Sequence, residues 1–161
     1  MEGTSGNDRF YVMALEDINP GTLYCWYDAA DGKLDSQYSV GTSANDFAVA
    51  GAEPTGRINT ERMIASWNSS QYGEQNSNDM WGLIQDEVSD GWFVPSKSEW
   101  AAFGAAFDIT SSTYSTFGLS GNCWSSSQYG TSTVYVPDFH IGGISYDLVS
   151  DSYFVRLATT F

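Results

Sequence analysis

The segment that most constrains the fold places a short strand directly before a capped helix, in DGWFVPSKSEWAAFGAAF. Pro95 ends the apolar strand at 92–94 because proline donates no hydrogen bond to a strand ladder. Ser96 and Glu99 follow at the spacing of a capping box, in which each side chain accepts a hydrogen bond from the backbone amide of the other residue. Glu99 is therefore expected to cap the helix rather than to act as a catalytic acid. The pattern predicts three inward side chains, Trp100, Phe103 and Phe107.

Short strands and helices are also predicted elsewhere along the chain. Strand patterns occur in RFYVMALED and TLYCWYDA, and residues 28–57 are typical of a long surface loop. Helical spacing begins at NTERMIASW, with Asn59 as its cap, and returns in DMWGLIQDEV. From Thr110 onward, short runs of Ser, Thr, Tyr, Val and Gly predict strands and turns. The chain is expected to form one α+β domain, residues 1–161, whose first two helices bury Met63, Ile64, Trp67, Met80, Trp81, Leu83, Ile84 and Val88.

The charge of the chain limits its partners. Twenty acidic residues against six basic ones give a net charge of -14. Solubility is the simplest explanation, but a surface of that sign also repels phosphate backbones and anionic lipid, so neither nucleic acid nor a membrane surface is an expected partner. No apolar run approaches the roughly 20 residues that span a bilayer, so no membrane insertion is expected. The N-terminal sequence MEGTSGNDRF has no signal-peptide pattern, and any export address is expected elsewhere.

The residues that usually carry chemistry are few and scattered. Cys25 and Cys123 match neither a zinc spacing nor a redox pair, which leaves two isolated thiols or one disulfide as alternatives. His140 is the single histidine, so no metal site and no cofactor are expected. The serines in GNCWSSS lack the glycine-flanked elbow of a hydrolase. We predict no catalytic residue.

Several motifs resemble those of a bacterial and phage domain with the C-type lectin fold, of the variety whose core is shared with formylglycine-generating enzymes. They are GWFVPSKSEW, CWSSSQY, VYVPDF, a glycine at Gly142 and the terminal FVRLATTF. The resemblance extends from Tyr11 to Phe161. It implies two or three helices packed on small antiparallel sheets, with the strand at Tyr11 beside the one at Phe154. Formylglycine generation requires a close cysteine pair near the C-terminus, where Cys123 stands alone, so the implied role is not enzymatic.

Domains of this kind serve as variable proteins of diversity-generating retroelements, which randomise adenines in the 3′ end of a target gene. An Asn codon randomised at its adenines cannot encode Lys, Glu, Gln, Met or Trp. Those types make up 24 of the first 128 residues and none of the last 33, where about six are expected at the same frequency. Strand preference accounts for part of this deficit, because strands disfavour Glu and Lys. Asn is also missing from the last 33 residues, as expected if template codons have been replaced.

The resemblance implies a variable ligand-binding segment at about 129–153, within an otherwise conserved scaffold. Tyr, Ser, Gly and Asp dominate this segment, which is the composition of an antibody paratope. An alternative interpretation of its three aliphatic residues Ile141, Ile144 and Leu148 places them in the core of a hairpin. The implied variable positions are Tyr135, Pro137, Asp138, His140, Ile141, Ile144, Tyr146, Asp147, Leu148 and Ser150. The implied scaffold positions are Trp92, Trp124, Val134, Phe139, Gly142, Val155, Arg156 and Phe161.

These features predict a non-catalytic binding protein displayed on an extracellular surface or a phage virion, with a protein or surface glycan as its ligand. One alternative is a structural phage or cell-surface component in which the domain is a spacer or a decoration. Another is a lectin of fixed glycan specificity.

Overall fold

The computed structural model describes residues 10–35 and 55–161, where helices and three two-stranded antiparallel sheets form. This content confirms the α+β class. The strands are β1 (Tyr11–Met13), β2 (Tyr24–Cys25), β3 (Thr133–Asp138), β4 (Gly143–Leu148), β5 (Ser152–Tyr153) and β6 (Ala158–Thr160). The helices are α1 (Thr55–Asn68), α2 (Met80–Leu83), α3 (Gln85–Ser89) and α4 (Lys97–Phe107), with short 3-10 turns at Asp28–Ala30 and Tyr114–Phe117.

The two ends of the described chain pair with each other. β1 runs antiparallel to β6, with Tyr11 opposite Thr160, and the ladder continues through a hydrogen bond from Ala14 N to Leu157 O at 2.8 Å. The expected closeness of the two ends is confirmed. The predicted pairing of Tyr11 with the strand at Phe154 is wrong, since Tyr11 pairs with Thr160 of β6. The reason is that the backbone of Phe154 bonds to Asn122 and Trp124 instead.

The capping box of α4 forms as predicted. The amide of Glu99 donates to Ser96 Oγ at 3.2 Å, and the amide of Ser96 donates to Glu99 Oε2 at 2.7 Å. The other oxygen of Glu99 accepts from the amide of Gly56 at 3.3 Å, so one carboxylate serves the first turns of both α1 and α4. Burial raises the pKa of Glu99 above its usual range. Trp100 and Phe103 are buried, whereas the prediction for Phe107 is wrong, because its ring is 48% exposed at the end of the helix.

The first helix begins earlier than its sequence pattern indicates. α1 starts at Thr55, so Asn59 lies buried inside the helix and cannot be its cap. The acceptor at this helix start comes instead from Glu99, which is distant in sequence. The inward face is confirmed, since Met63 is buried and Ile64 and Trp67 pack against the core.

The second helical pattern divides into α2 and α3 at Ile84, whose backbone is not helical (φ -96, ψ 10). Met80, Trp81 and Ile84 are buried as predicted, and Leu83 and Val88 are partly buried against the same core. The surface loop predicted at 28–57 lies mostly outside the described residues, and two of its described members, Ala30 and Leu34, are buried.

Indole groups hold the segment 124–128 at the centre of the molecule, and every residue of that segment is buried. Trp26 Nε1 donates to the carbonyl of Ser125 at 2.9 Å, and Trp124 Nε1 donates to the carbonyl of Tyr24 at 2.6 Å. Trp100 Nε1 donates to the carbonyl of Trp124 at 3.2 Å. The motif CWSSSQY therefore forms a buried central segment that connects α4 to β2 through hydrogen bonds.

Arg156 forms a buried ion pair with Asp17. Its Nε lies 2.7 Å from Asp17 Oδ1, and its remaining nitrogens donate to the carbonyls of Ala14 and Gly118. Of the other scaffold positions, Trp124, Val134, Phe139 and Val155 are buried, and Trp92 packs against the core. Two scaffold positions are exposed: Phe161, at 79%, and Gly142.

Candidate ligand-binding face

The hairpin formed by β3 and β4 contains most of the predicted variable positions. Its register places Tyr135 opposite Tyr146 and Pro137 opposite Ile144. Successive side chains of a strand point to opposite sides. Val134 and Val136 point into the core, where both are fully buried. The opposite side presents Thr133, Tyr135, Ile144, Tyr146 and Leu148, and we call these five side chains, together with Tyr129, the hairpin face.

Three tyrosines form an aromatic cluster on the hairpin face. The rings of Tyr129 and Tyr146 stack with centroids 4.2 Å apart, and Tyr135 meets the Tyr129 ring edge-on at 5.2 Å. Lys97, at the start of α4, places its Nζ 4.2 Å from the centroid of the Tyr135 ring. Tyr129 is 49% exposed and Tyr146 is 53% exposed. Such amphipathic rings supply a large contact area and lose little conformational entropy on binding.

A groove continues the hairpin face toward α4 and encloses about 280 Å³. Its helix side is lined by the small residues Ala101, Gly104 and Ala105, and its hairpin side includes Pro137 and Ile144. Small residues leave this space open, and a Cβ built on Gly104 would meet no atom within 4 Å. Pro137 is buried at the groove, which corrects its predicted place among the exposed contact residues. It is buried because α4 covers this end of β3.

The hairpin tip depends on Asp138 and Gly142. Asp138 Oδ1 accepts hydrogen bonds from the amides of His140 at 2.9 Å and Ile141 at 3.3 Å, so this carboxylate organises the turn. Gly142 has φ +67, a conformation that glycine adopts readily. The His140 ring lies edge-on against Tyr114 at 5.5 Å and is exposed. Ile141 is 69% exposed, which favours the exposed-patch interpretation over a core position.

Two predicted variable positions lie away from the hairpin face. Asp147 alternates to the opposite side of β4, where its Oδ2 accepts from the Tyr153 hydroxyl at 2.8 Å. Burial, followed by this hydrogen bond and by nearby carboxylates, raises the pKa of the Tyr153 hydroxyl. Ser150 follows β4, and its carbonyl accepts a hydrogen bond from Cys25 Sγ at 3.4 Å.

The structure thus brings Tyr135, Ile144, Tyr146 and Leu148 together with two residues that the predicted site omitted. Tyr129 begins the variable segment, but its stacking on Tyr146 depends on the path of the chain between 129 and 133. Lys97 lies far away in sequence and reaches Tyr135 only because α4 packs beside β3. No local pattern indicates that contact.

The two cysteines and the possible metal ligands bear on the chemistry of the described residues. Burial raises the pKa of both thiols, Cys25 and Cys123, which are unpaired. Within residues 10–35 and 55–161, no group of three His, Cys, Asp or Glu side chains is arranged to hold a metal ion. In the same part of the chain, no helix has the length and apolar character needed to cross a membrane.

No protein-family model matches this chain, and no curated protein matches it either.

Proposed function

We propose that this chain is a non-catalytic binding domain with the C-type lectin-like fold, which recognises a protein or a surface glycan through the hairpin face. One observation carries the proposal: the exposed aromatic side chains of the hairpin face are different residues from the buried aliphatic side chains that anchor the hairpin. Val134 and Val136 are fully buried, whereas Tyr129 and Tyr146 are about half exposed. Contact residues of this kind can change while the anchoring residues stay the same.

The same separation suits a protein diversified by a retroelement. Residues 129–161 lack the five types that randomised Asn codons cannot encode, and this range includes the whole hairpin. Under the proposal, exposed hairpin positions are randomised and buried ones are kept. The genomic test is direct. We expect a near-copy of the 3′ end of the gene close to a reverse transcriptase gene, differing from it only at adenines.

The proposed fold is supported by the arrangement of the described elements. The features that support it are the paired β1 and β6, the small antiparallel sheets and the helices α1 and α4, whereas the implied pairing of Tyr11 with the segment at Phe154 is absent among the described strands. A binding domain of this kind would be displayed on an extracellular surface or a phage virion.

A binding role is also favoured by the chemistry of the side chains. The thiolate is the reactive form of cysteine, and burial disfavours it at Cys25 and Cys123. The Glu99 carboxylate is occupied by amides at two helix starts. His140 contacts an aromatic ring at the hairpin tip, and we assign it a contact role.

The test compares three purified proteins on a protein array and a glycan array. They are the parent chain, the double variant Tyr129→Ser/Tyr146→Ser and the control Phe107→Ser. Phe107 matches Tyr129 in exposure and also stacks on a neighbouring ring, but it lies outside the hairpin face. Aromatic anchors at an interface contribute about 2 kcal/mol or more each, so the double variant should bind at least about tenfold more weakly.

The control should bind like the parent chain. Equal binding by all three proteins would show that the hairpin face is not the contact surface. Binding by none of the three proteins would favour the alternative role as a structural spacer or decoration.

A further inference from the structure

The two edges of the hairpin differ in their hydrogen bonding. On the β3 side, Ser125 N donates to Tyr135 O at 3.3 Å, and Tyr135 N donates to Ser127 O at 2.9 Å. The peptide groups of Tyr135 therefore point away from β4. In an antiparallel ladder, a residue and its partner in a non-hydrogen-bonded pair both direct their peptide groups outward. It follows that Tyr146, the partner of Tyr135, directs its N–H and C=O away from β3.

The same alternation applies to Ile144 and Leu148, so three residues direct their peptide groups to the outer edge of β4. Of these groups, the carbonyl of Leu148 accepts from Asp151 N at 3.0 Å. No other described residue donates to or accepts from this edge, and β3 is the only strand that pairs with β4 in the described chain. An unpaired row of this kind is a template for another strand.

Natural proteins usually block such edges with Pro, Lys or a bulge. The sequence of β4, GISYDL, contains neither Pro nor Lys, and its pairing with β3 is continuous over six residues. Its single charged residue, Asp147, bonds to Tyr153 on the side opposite the hairpin face. Among the described residues, nothing therefore pairs with this edge apart from the turn at Asp151.

Charge indicates which strand would fit this edge. Asp147 lies within β4 and Asp151 follows it directly, and these carboxylates together with Asp138 act on the Tyr153 hydroxyl. The whole chain carries a net charge of -14. A second copy pairing along β4 would bring two such clusters together, which is unfavourable. A strand that carries Lys or Arg would be attracted, and its cations would find an aromatic ring at Tyr146, which is 53% exposed.

We propose that the outer edge of β4 binds an extended basic segment of a partner protein by adding it as a third strand to the hairpin. This inference rests on the proposed binding function and names its partner chemistry. Backbone groups of β4 would supply the affinity that all variants share, and the side chains of the hairpin face would supply specificity. Such a division suits a diversified protein, because the peptide groups do not change when the side chains do.

The first experiment uses synthetic peptides and the intact chain. One peptide alternates Lys with Val, a second has Glu in place of Lys, and a third repeats the first with alternate amides N-methylated. Titrations are followed by amide hydrogen exchange measured by NMR. We expect the Lys peptide to slow exchange at the amides of Ile144, Tyr146 and Leu148. The Glu peptide should not bind, and N-methylation on the pairing edge should weaken binding about tenfold.

The second experiment removes one edge donor from the protein. Ile144→Pro deletes an N–H that points outward, and proline is tolerated at such an edge position. Ile144→Ala is its matched control, because it shortens the same side chain and keeps the N–H. We expect Ile144→Pro to reduce binding of the Lys peptide at least about threefold relative to Ile144→Ala. Thermal melts establish that both variants fold, and the N-methylated peptide tests the edge without any substitution.

Three results would overturn the inference: equal binding of the Glu peptide, protection at amides outside β4, or a concentration-dependent dimer that protects β4. Failure of this inference differs from failure of the proposed function. A ligand from the array screen that is lost in Tyr129→Ser/Tyr146→Ser but binds Ile144→Pro and Ile144→Ala equally well would leave the hairpin face as the binding site and exclude the edge.

Discussion

The hairpin face should tolerate changes that the core beneath it does not. We compare Tyr129→Ser/Tyr146→Ser with Trp124→Ala. Both tyrosines are about half exposed, so their main loss is the shared ring stack, which contributes about 0.5 to 1.5 kcal/mol and is counted once. With the partial burial of the two rings included, the double variant should lose about 1 to 2 kcal/mol of unfolding free energy.

Trp124, unlike the two tyrosines, is a core residue. It is fully buried, donates a hydrogen bond to the carbonyl of Tyr24 and packs edge-on against Tyr153 at 4.8 Å. Truncation to Ala leaves a cavity and an unsatisfied carbonyl, for an expected loss of about 3 to 5 kcal/mol.

Urea denaturation with fluorescence and circular dichroism measures both losses, and a thermal melt gives an independent comparison. For a chain of this length, each kcal/mol corresponds to a shift of about 2 to 4 °C in Tm. We therefore expect a shift of roughly 2 to 8 °C for the double variant and about 6 to 20 °C for Trp124→Ala. If the double variant loses as much stability as Trp124→Ala, the tyrosines are part of the core, and a diversified binding face is excluded.

Three further predictions concern the scaffold. Arg156→Met should destabilise the chain by about 3 to 5 kcal/mol in urea denaturation, because it leaves the Asp17 carboxylate buried without its partner; a loss below about 1 kcal/mol would contradict this. Burial raises the pKa of Glu99 in the folded state above its usual value of 4.5. The protonated side chain therefore contributes its full share of the free energy of unfolding below pH 4.5, and this share is lost as the pH rises through the higher folded-state pKa. The stability of the parent chain relative to Glu99→Gln should therefore fall from pH 4.5 toward neutral pH, and a flat difference between the two denaturation series would refute the assignment. Gly104→Ala should stabilise α4 by about 0.5 to 1 kcal/mol, whereas Gly142→Ala should cost about 1 kcal/mol or more at its positive φ, and thermal melts of the pair should shift in opposite directions.

Much of the local structure can be predicted because its causes are local. The capping box at Ser96 and Glu99 needs two residues at a fixed spacing, and the structure has both of its hydrogen bonds. The inward side chains of α1 and α2 follow from helical spacing. One local rule is wrong because of a distant residue. Asn59 is not a cap because Glu99 supplies the acceptor for the first turn of α1, and no spacing within α1 indicates this.

The candidate site also has some features that the sequence predicts and others that it does not. The composition of residues 129–161 marks the segment, and strand alternation predicts that Tyr135 and its neighbours share a side. Neither property predicts that Pro137 is covered by α4 or that Asp138 organises the hairpin tip. The cover over Pro137 depends on the packing of α4 against β3, which joins segments that are distant in sequence. The turn at Asp138 is local, because its carboxylate accepts from amides two and three residues later.

By itself, the sequence determined the α+β class, the capped helix α4, the strongly negative charge and the segment with unusual composition. These follow from residue types and short spacings, which act before any long-range contact forms. Tertiary structure alone decided that Lys97 meets Tyr135, that Tyr129 stacks on Tyr146 and that no described strand other than β3 pairs with β4. Each of these three features depends on which segments pack side by side. Hydrophobic burial selects those neighbours only when the whole core forms, because burial has no preferred direction.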